Sequence, residues 1–277
     1  MMNDRIRNNY SGLRPRLFIF PVFLLVLIVL FLYGEGALNV SGYVEIQKDV
    51  FLSINHFLGR YPVLQHNLTQ LGDVLIILPL ITILIVYAPK IWEALLAGLL
   101  VSAVFSAVLK KLFAVPRPAA VLDHNTFIIM GKKLTGFNSL PSGHSITIFT
   151  VLTVLLFAFM PKKWEGKTLW ALFVVITGLI LAFTRVGVGA HHPLDVISGS
   201  IIGYISGLSG IFISRKYKIG AWIGPKKYYP VFILLFLVCG GVLVTRIMNE
   251  NLLVYYFSII SLAFSLYKII QVYVQRR

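Results

Sequence analysis

Three short stretches of this sequence combine cations, histidines and an acid at spacings that suit chemistry on an anion. In KKLFAVPRP, Lys110 closes an apolar run and Arg117 follows seven residues later between Pro116 and Pro118. The two prolines stop a helix and stiffen the segment, so the Arg117 guanidinium has an extended, fixed support, and such a fork matches phosphate oxygens. In NSLPSGHSITIF, an apolar run opens on polar residues: Ser142 predicts a helix cap, Gly143 admits close backbone approach, and His144 falls in the first turn. The free N–H groups and dipole of that helix start attract an anion, and a histidine there can hand a proton to a leaving oxygen. In FTRVGVGAHHPLDVISG, Arg185, His191 and Asp195 are spaced as Arg-x5-His-x3-Asp. The four-residue step predicts His191 and Asp195 on one face, where the carboxylate holds one ring nitrogen protonated and leaves the other free to attack.

Each stretch alone has a plainer reading: basic residues snorkelling at a span end, an N-cap beside an interfacial histidine, or a structural His–Asp pair. Together they supply a nucleophile with its orienting acid, a second histidine, three cations and an anion-binding helix start. That combination predicts a phosphoryl-transfer site.

The elements that must position these residues are membrane helices. Of 277 residues, 58% are hydrophobic and only 13% charged, and the mean hydropathy is +0.85, values of an integral membrane protein. Apolar runs at about residues 17–33, 72–88, 93–109, 145–160, 168–184, 196–213, 229–245 and 252–274 predict about eight spans in an all-α polytopic bundle. The first, after MMNDRIRNNYSGLRPR, reads as a signal anchor that stays. The single cysteine, Cys239, excludes disulfides within the chain.

Lys and Arg total 25 against 10 Asp and Glu, and their placement assigns topology. With the N-terminus inside, Arg5, Arg7, Arg14, Arg16, Lys90, Lys162, Lys163, Lys167, Arg215, Lys216, Lys218, Lys226, Lys227, Lys268, Arg276 and Arg277 all fall on the cytoplasmic side. Both termini are then cytoplasmic, and all six histidines face outward with the three polar stretches. His191 rather than His192 has the spacing to Asp195, and His56, His66 and His124 read as interfacial. Lys111, Lys132 and Lys133 either steer anionic headgroups or are solvated loop charges.

The chain reads as one membrane domain, 1–277, with a catalytic helical core at 72–213. An extracytoplasmic segment at 34–71 carries Ile46, Val50, Phe51, Ile54, Phe57 and Leu58 at helical spacing, as either an interfacial helix or one packed over the bundle. Residues 228–277 form an extra C-terminal helix pair of unassigned role. Gly199, Gly203 and Gly207 recur every fourth residue and predict close helix packing.

The three motifs resemble the signature of the type 2 phosphatidic acid phosphatases, the lipid phosphate phosphatases: Lys-x6-Arg-Pro at Lys110 to Pro118, Pro-Ser-Gly-His at Pro141 to His144, then Ser-Arg-x5-His-x3-Asp ending at Asp195. The order matches as well, and NLTQLGD at 67–73 is also similar; Thr184 stands where the family usually has serine. The resemblance implies that His191 forms a phosphohistidine, Asp195 orients it and His144 protonates the leaving group. It implies that Lys110, Arg117, Ser142, Gly143 and Arg185 hold the phosphate. No metal is expected, because cationic side chains already neutralise the oxygens and the outer loops carry no close pair of acids, and no cofactor is expected.

The expected substrate is a lipid or polyprenyl phosphate or diphosphate such as undecaprenyl diphosphate, phosphatidylglycerophosphate, phosphatidic acid or lipid A phosphate. The reaction is expected on the extracytoplasmic, periplasmic face of a bacterial inner membrane. The expected partners are this substrate and membrane lipids, with no nucleic acid and no obligatory protein partner. A phosphotransferase using a polyprenyl diphosphate donor shares the constellation, and a non-catalytic carrier of anionic lipids is the rival of another class. Eight apolar spans argue against the soluble vanadium haloperoxidases, and cations spread along span ends argue against nucleic-acid binding.

Overall fold

The computed structural model describes residues 2–275, so Arg276 and Arg277 of the basic set lie outside the described residues. Among the described residues every regular element is helical. The principal helices are α1 (Met2–Ser11), α2 (Ile19–Gly34), α3 (Val40–Glu45), α4 (Lys48–Gly59), α5 (Pro62–Thr69), α6 (Pro89–Phe113) and α7 (Gly143–Ala158). They continue with α8 (Trp164–Gly187), α9 (Pro193–Tyr217), α10 (Tyr229–Asn249) and α11 (Leu253–Val274). Among the described residues six helical stretches, those containing α2, α6, α8, α9, α10 and α11, are long and apolar enough to cross a membrane, and α7 is a shorter apolar helix of 16 residues. The chain is an integral membrane protein with an all-helical fold.

The apolar run at 72–88 is not one straight helix. It breaks into α-turns at Val74–Ile77 and Leu84–Tyr87 around a 3-10 turn at Pro79–Ile81, although Leu78, Thr82 and Ile83 keep helical dihedrals. Pro79 is the reason: it has no N–H to give and its ring crowds the preceding turn. Carbonyls loosened in this way need donors inside a membrane. The C-terminal hairpin α10–α11 supplies them, with Ser258 Oγ donating to the Ile76 carbonyl at 3.2 Å and Ser261 Oγ to the Leu80 carbonyl at 3.1 Å. Apolar packing follows the same surface, as Ile76 and Ile85 join Phe232, Phe236, Tyr255 and Leu262 in one buried cluster.

The centre of the bundle is the pair α7 and α9. The small-residue stripe of α9 lets it lie directly on the backbone of α7: a methyl added at Gly203 would come within 2.5 Å of the Ile146 carbonyl oxygen, and one at Gly207 within 2.6 Å of that of Thr150. Such contact maximises dispersion between helices that gain nothing from expelling water. Ser142 N–H donates to the Asp195 carbonyl at 3.0 Å, so the starts of both helices are locked together.

Antiparallel traverses sort the polar groups to two ends. At one end Asn9 donates to the carbonyls of Ala158 and Met160, Tyr10 to that of Val154, and Arg215 to those of Ser11 and Leu13. The three chemical stretches meet at the other. Over that end α4 packs against the bundle by Phe51, which is fully buried, while Val50 and Phe57 stay exposed. Asn55, a polar residue inside the apolar stripe, is also fully buried and donates to the carbonyls of Ile128, Val186 and Gly187.

Gly203→Ala should therefore lower thermal stability in detergent by ~1–3 kcal/mol, since backbone must move to admit the methyl. Gly241→Ala, on α10 with nothing near its added methyl, should be neutral or stabilising by up to about 1 kcal/mol. Thermal unfolding of the two purified variants checks the pair.

Candidate active site

Asp195 organises the site. It has no exposed surface, and it collects donors from three parts of the chain: Tyr43 Oη at 2.8 Å on Oδ1, then Ser139 Oγ at 2.6 Å and the His192 N–H at 2.9 Å on Oδ2. His191 Nδ1 lies 3.5 Å from the same Oδ2 and 3.3 Å from Ser139 Oγ. The expectation that His191 and Asp195 share a helix face needs correcting. Helix α9 begins at Pro193 with His192 as its N-cap, so His191 precedes the helix, and Asp195 in the first turn reaches back toward it as a capping residue does.

With the proton on Nδ1 facing Asp195 and Ser139, His191 presents the lone pair of Nε2. Arg117 Nη1 stands 3.3 Å from that nitrogen. Arg117 is extended, as the flanking prolines require, and is anchored by Nε to Asn138 Oδ1 at 2.8 Å and by Nη1 to the Ala190 carbonyl at 3.1 Å. Burial holds the His191 pKa below the ordinary histidine value, against the opposing pull of its hydrogen bond with Asp195. Its ring is therefore held in the neutral form.

The remaining residues stand around this pair. Ser142 caps α7, its Oγ accepting from the Ser145 N–H, and His144 follows in the first turn. The Lys110 ammonium faces this helix start, only 3.2 Å from where a methyl on Gly143 would sit, so a side chain there would push the cation aside. Arg185 is 7% exposed and donates by Nη1 to Thr69 Oγ1 at 2.8 Å, while its buried Nε has no partner among the described residues. His144 and Arg185 line a cavity of about 320 Å³ with Thr69, Lys132 and Arg246. Three cations against one carboxylate leave a formal excess of positive charge. An unpartnered guanidinium nitrogen, an ammonium and a helix N-terminus beside a neutral imidazole suit a tetrahedral oxyanion.

Thr184 turns its hydroxyl to the Leu181 carbonyl in its own helix, 2.5 Å away, so the exchange for serine touches no other site group. His192 points elsewhere too, its Nε2 donating to the Pro116 carbonyl at 3.2 Å. His56 meets the Thr126 carbonyl and His124 that of Ala119, whereas His66, read from sequence as interfacial, lines the cavity 3.6 Å from Glu250. Lys133 is engaged with His124.

Sequence reasoning missed Tyr43, Thr69, Asn138 and Ser139. Ser139 and Asn138 sit inside the quoted NSLPSGH stretch and Thr69 inside NLTQLGD, so a closer inspection of polar neighbours could have raised them. Nothing in the sequence points Tyr43 at Asp195.

The membrane-embedded helices and this site define a class, and comparison with known proteins names it. Residues 92–219 match the model of the PAP2 superfamily, so the chain carries a PAP2 superfamily domain, and the match spans all three motifs. The chain is 28% identical over 200 residues to an undecaprenyl-diphosphatase of Sulfolobus acidocaldarius, covering 70% of this chain and 91% of that protein. It is 31% identical over 90 residues to a lipid A 4'-phosphatase of Bacteroides thetaiotaomicron, covering 32% of this chain and 37% of the other. The crystal structure of LpxE from Aquifex aeolicus has a similar fold, with TM-score 0.50 and 26% identity over 60% of this chain and 95% of that one.

A neutral His191 has a spectroscopic consequence. At pH 6, where an ordinary histidine is mostly protonated, nitrogen NMR of histidine-labelled protein should find His191 uncharged with its proton on Nδ1. Protonation should begin only at lower pH, because the folded-state pKa is lowered. A charged ring at pH 6 would contradict the geometry.

Proposed function

We propose that this chain is a membrane phosphatase acting on lipid or polyprenyl phosphates or diphosphates through a phosphohistidine on His191. The observation that supports it most is the buried relay from Asp195 through His191 to Arg117, which aims a neutral ring nitrogen past a guanidinium toward the phosphate position. The relatives named as undecaprenyl-diphosphatase and lipid A phosphatase act, by those names, on substrates of this class.

In the first step His191 Nε2 forms a bond to phosphorus as the bond to the leaving oxygen breaks, and His144 gives that oxygen a proton. Asp195 stabilises the charge that develops on the imidazole. In the second step a water attacks the phosphohistidine, His144 takes the water's proton, and the N–P bond breaks to release inorganic phosphate and restore His191. Lys110, Arg117 and Arg185, with the backbone at Ser142 and Gly143, hold the equatorial oxygens. These cations neutralise the oxygens without a metal ion.

The catalytic core is the 72–213 bundle, and 228–277 is an accessory pair. Both termini face the cytoplasm of a bacterial inner membrane and the site opens to the periplasm, an orientation supported by the basic residues gathered near α1. Undecaprenyl diphosphate, phosphatidylglycerophosphate, phosphatidic acid and lipid A phosphate all offer the required headgroup.

The test is phosphate release by purified protein from those four lipids with EDTA present. Wild type should turn over at least one of them and be inhibited by vanadate, and His191→Ala should lose about a thousandfold or more of the rate. Labelled phosphate appearing on a second lipid rather than free would assign a phosphotransferase instead. Lipid bound equally by wild type and His191→Ala, with no turnover by either, would assign a carrier.

In the same assay the acid limb of kcat/KM should not report His191 at its ordinary value. Its lowered pKa keeps the nucleophile neutral, so loss of rate by its protonation should come only at more acidic pH.

A further inference from the structure

The C-terminal hairpin reaches the chemistry. Its outer end, where α10 gives way to α11, forms one wall of the cavity that also contains His144 and Arg185, through Arg246, Asn249, Glu250 and Tyr255. Arg246 Nη2 pairs with Asp73 Oδ2 at 2.8 Å, and both side chains are partly buried, at 31% and 25% exposed. Asn67 Oδ1 accepts from the Val254 N–H at 3.1 Å, a second tie from hairpin to the same neighbourhood.

What the hairpin holds is the turn from Thr69 to Asp73. Thr69 carries the hydroxyl that fixes Arg185. Gly72 is the floor beneath His144: a methyl there would lie 2.5 Å from the His144 Cβ and 2.7 Å from its Cδ2, so the imidazole rests directly on this backbone. Asp73 closes the turn, its Oδ1 accepting from the Leu75 N–H while Oδ2 takes Arg246. One five-residue turn thus supports a phosphate-binding guanidinium at one end and the proton donor's ring in the middle, and an ion pair from outside the PAP2 match at 92–219 anchors the other end.

We infer that Arg246 is a positioning residue for the reaction, holding the Thr69–Asp73 turn through Asp73 so that His144 meets the leaving oxygen. The inference rests on the phosphatase reading above for the role of His144. It assigns the C-terminal pair a part in catalysis rather than in membrane anchoring alone. If the ring of His144 shifts by even part of an ångström, proton delivery suffers while nucleophilic attack by His191, braced separately by Asp195, does not.

Leaving-group dependence separates this role from general loss of structure. Phosphatidic acid expels an alkoxide that needs a proton, whereas p-nitrophenyl phosphate expels a phenolate that leaves without one. Arg246→Ala should lose about tenfold more kcat on phosphatidic acid than on p-nitrophenyl phosphate, a fraction of what a general acid contributes. KM for phosphatidic acid should change far less than kcat. Arg246→Lys, which keeps the ion pair, should bring that ratio back to within about threefold of wild type. Equal losses on both substrates, or a loss confined to KM, overturn the inference.

A second measurement needs no turnover. Carbethoxylation of His144 by diethyl pyrocarbonate, followed by mass spectrometry against His56 as internal reference, should run about threefold or more faster in Arg246→Ala as the turn loosens. An unchanged rate overturns the inference whatever the activity. Wild-type protein that releases phosphate from none of the four lipids would sink the phosphatase reading, and the modification rate alone would then judge the brace.

Discussion

An ionised carboxylate with no exposed surface is the constraint on which the rest of this structure depends. Asp195 can stay charged there only if donors surround it, because desolvating a carboxylate without hydrogen bonds costs several kcal/mol or more. Tyr43 comes from the segment after the first span, Ser139 from the loop before α7, and the His192 N–H from the cap of α9 itself. Satisfying one side chain therefore draws three distant parts of the chain to one point. His191 is placed as a by-product, beside an acid already oriented by others.

The cations obey the complementary rule. Arg117 and Arg185 are both buried, and each is secured by neutral acceptors, Asn138 and the Ala190 carbonyl for the one and Thr69 for the other. Neutral anchors fix a guanidinium without cancelling its charge. Asp195 answers only part of that charge, so the proposed phosphate meets a field organised before it arrives. The close crossing of α7 over the glycine stripe of α9 makes this possible, because it brings the start of α7 against the start of α9 and so sets Gly143 and His144 beside His191 and Asp195.

The broken run at 72–88 shows how a membrane fold tolerates irregular backbone. Pro79 loosens the helical ladder, and serine hydroxyls on α11 take up the carbonyls. The hairpin is thus built into the bundle through polar contacts that a mere anchor would not need, and the same packing continues to the Asp73 and Arg246 ion pair at the edge of the cavity.

Hydropathy and motif spacing by themselves determined that the chain is an all-helical membrane protein with about eight apolar runs, and which residue types could work on a phosphate. Lys110, Arg117, Ser142, Gly143, His144, Arg185, His191 and Asp195 could be picked out because each sits at a span end, where a polar residue stands out against apolar neighbours. The sequence also showed the small-residue stripe of α9, since its four-residue period is local. Only the tertiary structure decided that Asp195 reaches His191 from a helix cap rather than along a helix face. It alone brought Tyr43, Thr69 and Ser139 to the site, and turned an accessory hairpin into a wall of the cavity. The physical reason is range: hydropathy and helical period act over a few residues, whereas packing between segments far apart in the chain chooses donors such as Tyr43, at a separation of 152 from Asp195.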